Sequence, residues 1–303
     1  MATMHLSIAR RLSMVFLLSA LLTLLSGALS GVPAAGATTA SAVSGYQVVY
    51  GPETASNSLS PKTARAVCPL GKRVIGGGGS VSQPGVGSIQ RTALTELRPV
   101  FRYDGTSDAY LATAAETPPG TTENWLVEAY AVCADPLPGM FMVAYTTSPS
   151  SSSVQTASAG CPWVIGTGGR ISTSFGRVVL QTARPSPTGD FARVRAHEVP
   201  DGYTGTWSVT AYAVCVSTKP AGYEVVVGRS GQRLSEPYKS AIAMCPYGKN
   251  VLGPGGAISN TAPGNVSLQM ILPYPSRSYV DAVENTPTNL NWDSIVATAV
   301  CAY

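Results

Sequence analysis

The chain has 303 residues, only 12% of them charged, and a formal net charge of +4. That balance leaves no electrostatic footprint for nucleic acid and no basic cluster for an anionic membrane surface. The length allows two or three domains.

The N-terminus reads as an export signal spanning 1–37. Arg10 and Arg11 supply the positive region, an apolar run extends from Met14 to Leu25, and Ala35-Gly36-Ala37 offers a small-x-small cleavage site. The apolar run is too short to cross a bilayer. Loss of the two arginines lowers the formal charge from +4 to +2. Residues 38–43 form a short Ala/Ser/Thr leader, expected to be flexible. The expected location is secreted and extracellular, with no transmembrane segment in the mature chain.

One plan then occurs three times, with a period of roughly eighty residues, in repeats at 44–136, 137–219 and 220–303. Each repeat opens with Gly and a β-prone run: Gly45-Tyr46, Gly139-Met140 and Gly222-Tyr223. The next strand ends in Cys-Pro, with small residues alternating into the cysteine: Ala64, Ala66, Cys68; Ala157, Ala159, Cys161; Ala241, Ala243, Cys245. Pro69, Pro162 and Pro246 cannot donate to a ladder and should end these strands.

An aliphatic pair and a glycine cluster follow: Val74-Ile75 before Gly76 to Gly79, Val164-Ile165 before Gly166-Thr167-Gly168-Gly169, and Val251-Leu252 before Gly253-Pro254-Gly255-Gly256. Two further strands lead to Glu116, Glu198 or Glu284. Trp125 to Cys133, Trp207 to Cys215 and a degenerate Trp292 to Cys301 close the repeats. In the first two closing strands every second residue back from the cysteine is apolar or small, the period of a strand with one buried face.

About six short strands per repeat, with no helical periodicity, imply an all-β fold: three tandem antiparallel β-sandwich-like or small-barrel repeats. Within a repeat the two cysteines end separate strands, so the repeat itself points to Cys68–Cys133, Cys161–Cys215 and Cys245–Cys301. Each bridge closes a loop of more than fifty residues, worth roughly 4 kcal/mol in the chain-entropy model. Trp125 and Trp207 share strand parity with the cysteines and should face inward. Trp292 lies nine residues before Cys301 rather than eight, so a bulge near Asn291 to Ser294 is expected to restore its register.

The run Cys245-Pro246-Tyr247-Gly248-Lys249 through Gly255-Gly256, followed by a Trp strand ending in Ala-Val-Cys, resembles a module of exported proteins of actinobacteria and their phages. Cys68-Pro69-Leu70-Gly71-Lys72 matches the same pattern, whereas Cys161-Pro162-Trp163 lacks the Gly-Lys. The resemblance covers almost all of the mature chain and implies export and a compact disulfide-closed β-unit. A more distant similarity, carried by three Cys-Pro-containing repeats, is to the three-fold β-prism of vitelline membrane outer layer protein.

Catalytic sets are sparse. After the signal the only histidine is His197, expected to be a partly exposed strand residue, and one histidine supports neither a Ser-His-Asp nor a Cys-His arrangement. Glu116, Glu198 and Glu284 recur at equivalent places, where they should accept backbone N–H bonds from the following turn rather than ligate calcium, for which no Asp-rich loop is present. No glycine cluster ends in Gly-Lys-Ser/Thr, so no phosphate cradle is expected, and no cofactor or metal. Tyr130 and Tyr212 sit opposite the cysteines on their strands and are the candidate binding face, for an extracellular glycan or envelope polymer. The expected function is non-enzymatic binding or surface structure; the alternative is a polysaccharide hydrolase with carboxylates at a repeat boundary.

Overall fold

A computed structural model describes residues 42–303 apart from 86–89, 103, 173–175, 232–234, 260–263, 286–290 and 293. The expected signal and most of the leader lie outside the described residues. Among the described residues, eighteen β-strands, six from each repeat, make up the regular structure. The first repeat contains β1 (Gln47–Tyr50), β2 (Lys62–Val67), β3 (Arg73–Ser82), β4 (Thr92–Val100), β5 (Ala109–Glu116) and β6 (Leu126–Ala134). The second contains β7 (Met140–Thr146), β8 (Val154–Gly160), β9 (Trp163–Ile171), β10 (Val178–Pro185), β11 (Phe191–Glu198) and β12 (Val209–Val216). The third contains β13 (Glu224–Arg229), β14 (Tyr238–Met244), β15 (Asn250–Ile258), β16 (Val266–Tyr274), β17 (Arg277–Glu284) and β18 (Ile295–Ala302).

Within a repeat, three strands face the other three across a core, with the alternation the sequence carries. In β2, for example, Lys62, Ala64 and Ala66 are buried while Thr63, Arg65 and Val67 are exposed. The repeats do not keep their sheets to themselves. The strands join into three six-stranded antiparallel sheets: sheet I in the order β1-β6-β3-β16-β17-β14, sheet II in the order β2-β5-β4-β9-β12-β7, and sheet III in the order β13-β18-β15-β10-β11-β8. Each sheet takes three strands from each of two repeats, and each pair of repeats shares one sheet. The result is a closed triangular prism with a single main core running through all three repeats.

The seams between repeats are short ladders at equivalent places: Met270 and Ile271 with Ser80 and Gly79, Glu96 and Leu97 with Arg170 and Gly169, and Thr182 and Ala183 with Ala257 and Gly256. The aliphatic pairs and glycine clusters explain how the strands come so close. Ile75, Ile165 and Leu252 are each the extra residue of a β-bulge, and each is fully buried. They meet in a second cluster with Val132, Val214 and Val300, closing one end of the prism. The glycine after each bulge lies against the bulge carbonyl of another repeat. A methyl group on Gly76 would overlap the carbonyl of Leu252, one on Gly166 that of Ile75, and one on Gly253 that of Ile165. Only glycine allows that approach.

The disulfides Cys68–Cys133, Cys161–Cys215 and Cys245–Cys301 lie one in each repeat. Each joins a strand end in one sheet to a strand in another: sheet II to I, sheet III to II, and sheet I to III. With sequence separations of 65, 54 and 56 residues, the three covalent corners restrict the unfolded chain by about 4 kcal/mol each.

Two outcomes test this architecture. Gly166→Ala should cost about 1–3 kcal/mol by forcing backbone apart in a packed seam, whereas Gly160→Ala, whose added methyl would meet nothing nearer than 3.7 Å, should change stability by less than about 0.5 kcal/mol. Equal effects in urea titration would contradict the seam. A single repeat expressed as 137–219 should fail to fold as a monomer, because β9 and β10 would both be left with open edges; a folded monomer by sedimentation and NMR would contradict it.

Candidate functional site

The prism repeats one lattice three times, so equivalent residues on the outward faces can be compared directly. One transverse row crosses each sheet on the side away from the core. In sheet I it runs Glu128, Ser80, Met270, Asp281, Ser240. In sheet II the same places hold Thr210, Arg170, Glu96, Thr113, Thr63. In sheet III they hold Val296, Ala257, Thr182, Arg195, Thr156.

Sheet I is a tyrosine face with two carboxyl groups. Tyr50, half-exposed, packs edge-on against Tyr130 with ring centroids 5.4 Å apart. The Tyr130 hydroxyl lies 2.7 Å from Ser80 Oγ and donates to Glu128 Oε2 at 2.8 Å. Across the sheet, Tyr279 donates to Asp281 and accepts from Ser240, with Tyr238 beside it. Tyr238, Ile242 and Met244 project into solvent from the edge strand β14. Burial raises the Asp281 carboxyl from 3.8 to about 6, against the Tyr279 hydrogen bond, and its Oδ1 has no partner among the described residues. Glu128 is also raised, chiefly by burial. Three ladder steps separate Glu128 from Asp281, about 14 Å, well beyond the roughly 5–9.5 Å of a glycosidase carboxylate pair.

On sheet II the charged groups of this row pair with one another. Glu96 accepts from Arg98 Nε at 2.5 Å and from Thr113 Oγ1 at 3.1 Å, with Arg170 Nε at 3.8 Å. Sheet III carries Arg184, Arg193, Arg195 and Arg229 around a shallow depression of about 580 Å³.

The candidate residues are dispersed by this topology. Tyr130 and Tyr212 occupy the same place in their repeats, but β6 belongs to sheet I and β12 to sheet II. They therefore lie on different faces and form no common platform. Tyr130 is only 3% exposed, covered by Tyr50 and tied to Ser80 and Glu128; Tyr212 is half-buried beside Gly168 and Ala144. The exposed ring at the first position is Tyr50.

The recurrent glutamates serve the fold. Glu116 accepts from Trp125 Nε1 at 3.1 Å and from the Thr121 amide; Glu198 accepts from Trp207 Nε1 at 3.1 Å and from the Tyr203 amide. Glu284 is buried, but Trp292 Nε1 donates instead to the Glu236 carbonyl at 2.8 Å. Trp292 is nevertheless fully buried, and its carbonyl accepts from Lys239 just as that of Trp125 accepts from Lys62 and that of Trp207 from Gln155. Its extra residue is absorbed before Ile295, which pairs with Ile258; Asp293 lies outside the described residues. The buried Lys62 and Lys239, each over its tryptophan ring at 4.2 Å, were legible in the triplets Lys62-Thr63-Ala64, Gln155-Thr156-Ala157 and Lys239-Ser240-Ala241, which the Cys-Pro alternation overshadows.

His197 is buried rather than partly exposed. Burial, and then the charge of Arg195, lowers its imidazole to about 4, and Nε2 has no partner among the described residues. Set against models of known protein families and against curated proteins, the sequence finds no match.

Asp281 gives a pH-dependent expectation. Its folded pKa lies above its unfolded value, so folding favours the protonated form. The associated stability is complete below about pH 4 and is lost as pH rises through about 6, with a magnitude of roughly 3 kcal/mol. Asp281→Asn should match the parent melting temperature near pH 3.5 and exceed it by several degrees at pH 7.5 in scanning calorimetry; the same offset at both pH values would refute this assignment.

Proposed function

We propose that the chain is an exported binding protein, a member of the actinobacterial disulfide-closed β-module family, and that sheet I is its saccharide-binding face. The observation that carries the reading is the pairing, on one outward surface, of exposed tyrosine rings with a row of hydrogen-bonding groups. Tyr50 and Tyr238 stand 51% and 58% exposed on either side of Glu128, Ser80, Asp281 and Ser240. An aromatic ring offers an apolar body and a polar tip, which suits a sugar with its C–H faces and hydroxyl rims. The apolar edge of β14 adds an exposed patch of the kind that marks binding surfaces.

Export is supported by the charged and apolar pattern of residues 1–37 and by three disulfides, which persist in oxidising compartments. Among the described residues, no helix is long and apolar enough to cross a membrane.

Calorimetric titration of neutral envelope polysaccharides tests the face. Tyr50→Ala combined with Tyr238→Ala should weaken binding at least tenfold while leaving the fold intact, and Tyr212→Ala, on sheet II, should leave binding unchanged. Affinity that survives the double substitution would dismiss sheet I as the site.

A further inference from the structure

The outward face of sheet III gathers cations that the fold does not neutralise. Arg184 extends from β10, Arg193 and Arg195 from β11, and Arg229 from β13 across the sheet. None of the four makes a hydrogen bond or ion pair with an acid among the described residues. Arg193 packs against the Phe191 ring at 5.0 Å. On sheet II the place of Arg184 is taken by Arg98, which is paired with Glu96; on sheet I it is taken by Leu272. On sheet III the place of Glu96 is taken by Thr182, so the anion that settles the neighbouring face is missing. Burial, and then the charges of Arg193 and Arg229, lower the Arg184 guanidinium below its ordinary value. Like charges have thus been brought together in a partly desolvated place, an arrangement that costs stability.

The floor between these side chains is built from short residues. Val296, Ala257 and Thr182 lie along one row, where sheet I carries Glu128, Ser80 and Met270. Four ladder steps separate the backbone of Arg229 from that of Arg195, about 19 Å. A chain bearing repeated anions can span this distance and engage both rims.

We propose that this depression binds an anionic polysaccharide carrying sulfate or phosphate esters, laid across sheet III with its oxyanions held by Arg184, Arg193, Arg195 and Arg229. Guanidinium groups present planar forks of donors that match such oxyanions. Among the described residues no aromatic ring lines the depression, and the neighbouring Phe191 ring is packed against Arg193, so the open stacking platform on which single-stranded nucleic acids rest is lacking. The site lies on a different sheet from the tyrosine face and stands or falls independently of it.

The test uses the full mature chain with dextran sulfate, a phosphorylated mannan, neutral dextran and a single-stranded oligonucleotide of matched charge. Binding of at least one esterified polysaccharide is expected to weaken steeply with salt and to fall at least tenfold in Arg184→Gln with Arg195→Gln. The two ester arms tell sulfate from phosphate recognition, and neutral dextran should not bind. Because the double variant removes mutual repulsion, its melting temperature should equal or exceed that of the parent. Loss of binding with a retained or raised melting temperature supports the site. Undiminished binding in the variant, absence of binding to both esterified polymers, or an oligonucleotide affinity equal to theirs would overturn it.

Discussion

Three backbones approach one another at the end of the prism, and the rest of the architecture depends on that contact. Ile75, Ile165 and Leu252 bulge out of β3, β9 and β15 and pack together, and the glycine after each admits the carbonyl of another repeat. A side chain at Gly76, Gly166 or Gly253 would push the repeats apart and open the seams. Nearby, Tyr46 donates to the carbonyl of Val251 and Tyr223 to that of Val164, so the opening strand of one repeat also ties down the bulge region of another. Met140, at the corresponding place, has no hydroxyl to offer. A second set of bulges works in the opposite cyclic sense. Gln181 reaches the carbonyl of Val266, and Gln269 reaches Thr92. Thr95 is too short for this and bonds within its own repeat, to the carbonyl of Thr113.

Stability therefore comes from an axis sealed by apolar residues and corners sealed by sulfur. Neither uses the outward surfaces, which leaves those surfaces free to differ. The contrast is sharpest at one lattice position, which holds Asp281 in sheet I, Thr113 in sheet II and Arg195 in sheet III. Thr113 is satisfied by Glu96, whereas Asp281 keeps an oxygen without a partner among the described residues and Arg195 stands among other cations. Local departures from what folding alone would favour are expected where a surface has work to do. Here they fall on two faces and spare the third.

Much of the fold was legible in the residues. The alternation of Ala64, Ala66 and Cys68 marks a half-buried strand, and β2 has that burial pattern. The threefold recurrence of the Cys-Pro and Trp-to-Cys segments marked three sandwich-like units with one bridge each. The expectation that the recurrent glutamates accept backbone N–H groups of the following turn holds for Glu116 and Glu198, whereas their bonds from Trp125 and Trp207 were not legible. The proposed binding surface was not legible. Strand parity correctly set Tyr130 opposite Cys133, but parity says nothing about the sheet to which a strand belongs or what a neighbouring strand lays over it.

By itself, then, the sequence determined everything that depends on near neighbours along the chain: which segments are strands, which side of each faces inward, where strands end at proline, and that each unit carries its own cysteine pair. Tertiary structure alone decided the exchange of half-sheets among repeats, the burial of Tyr130 under Tyr50, and the gathering of Arg184, Arg193 and Arg195 with Arg229, which lies more than thirty positions further along the chain. The physical reason is that alternation has a period of two residues and encodes a face, whereas the choice of partner strand is made by backbone hydrogen bonds common to every residue. At the seams that choice turns on whether a glycine leaves room for a carbonyl from far along the chain.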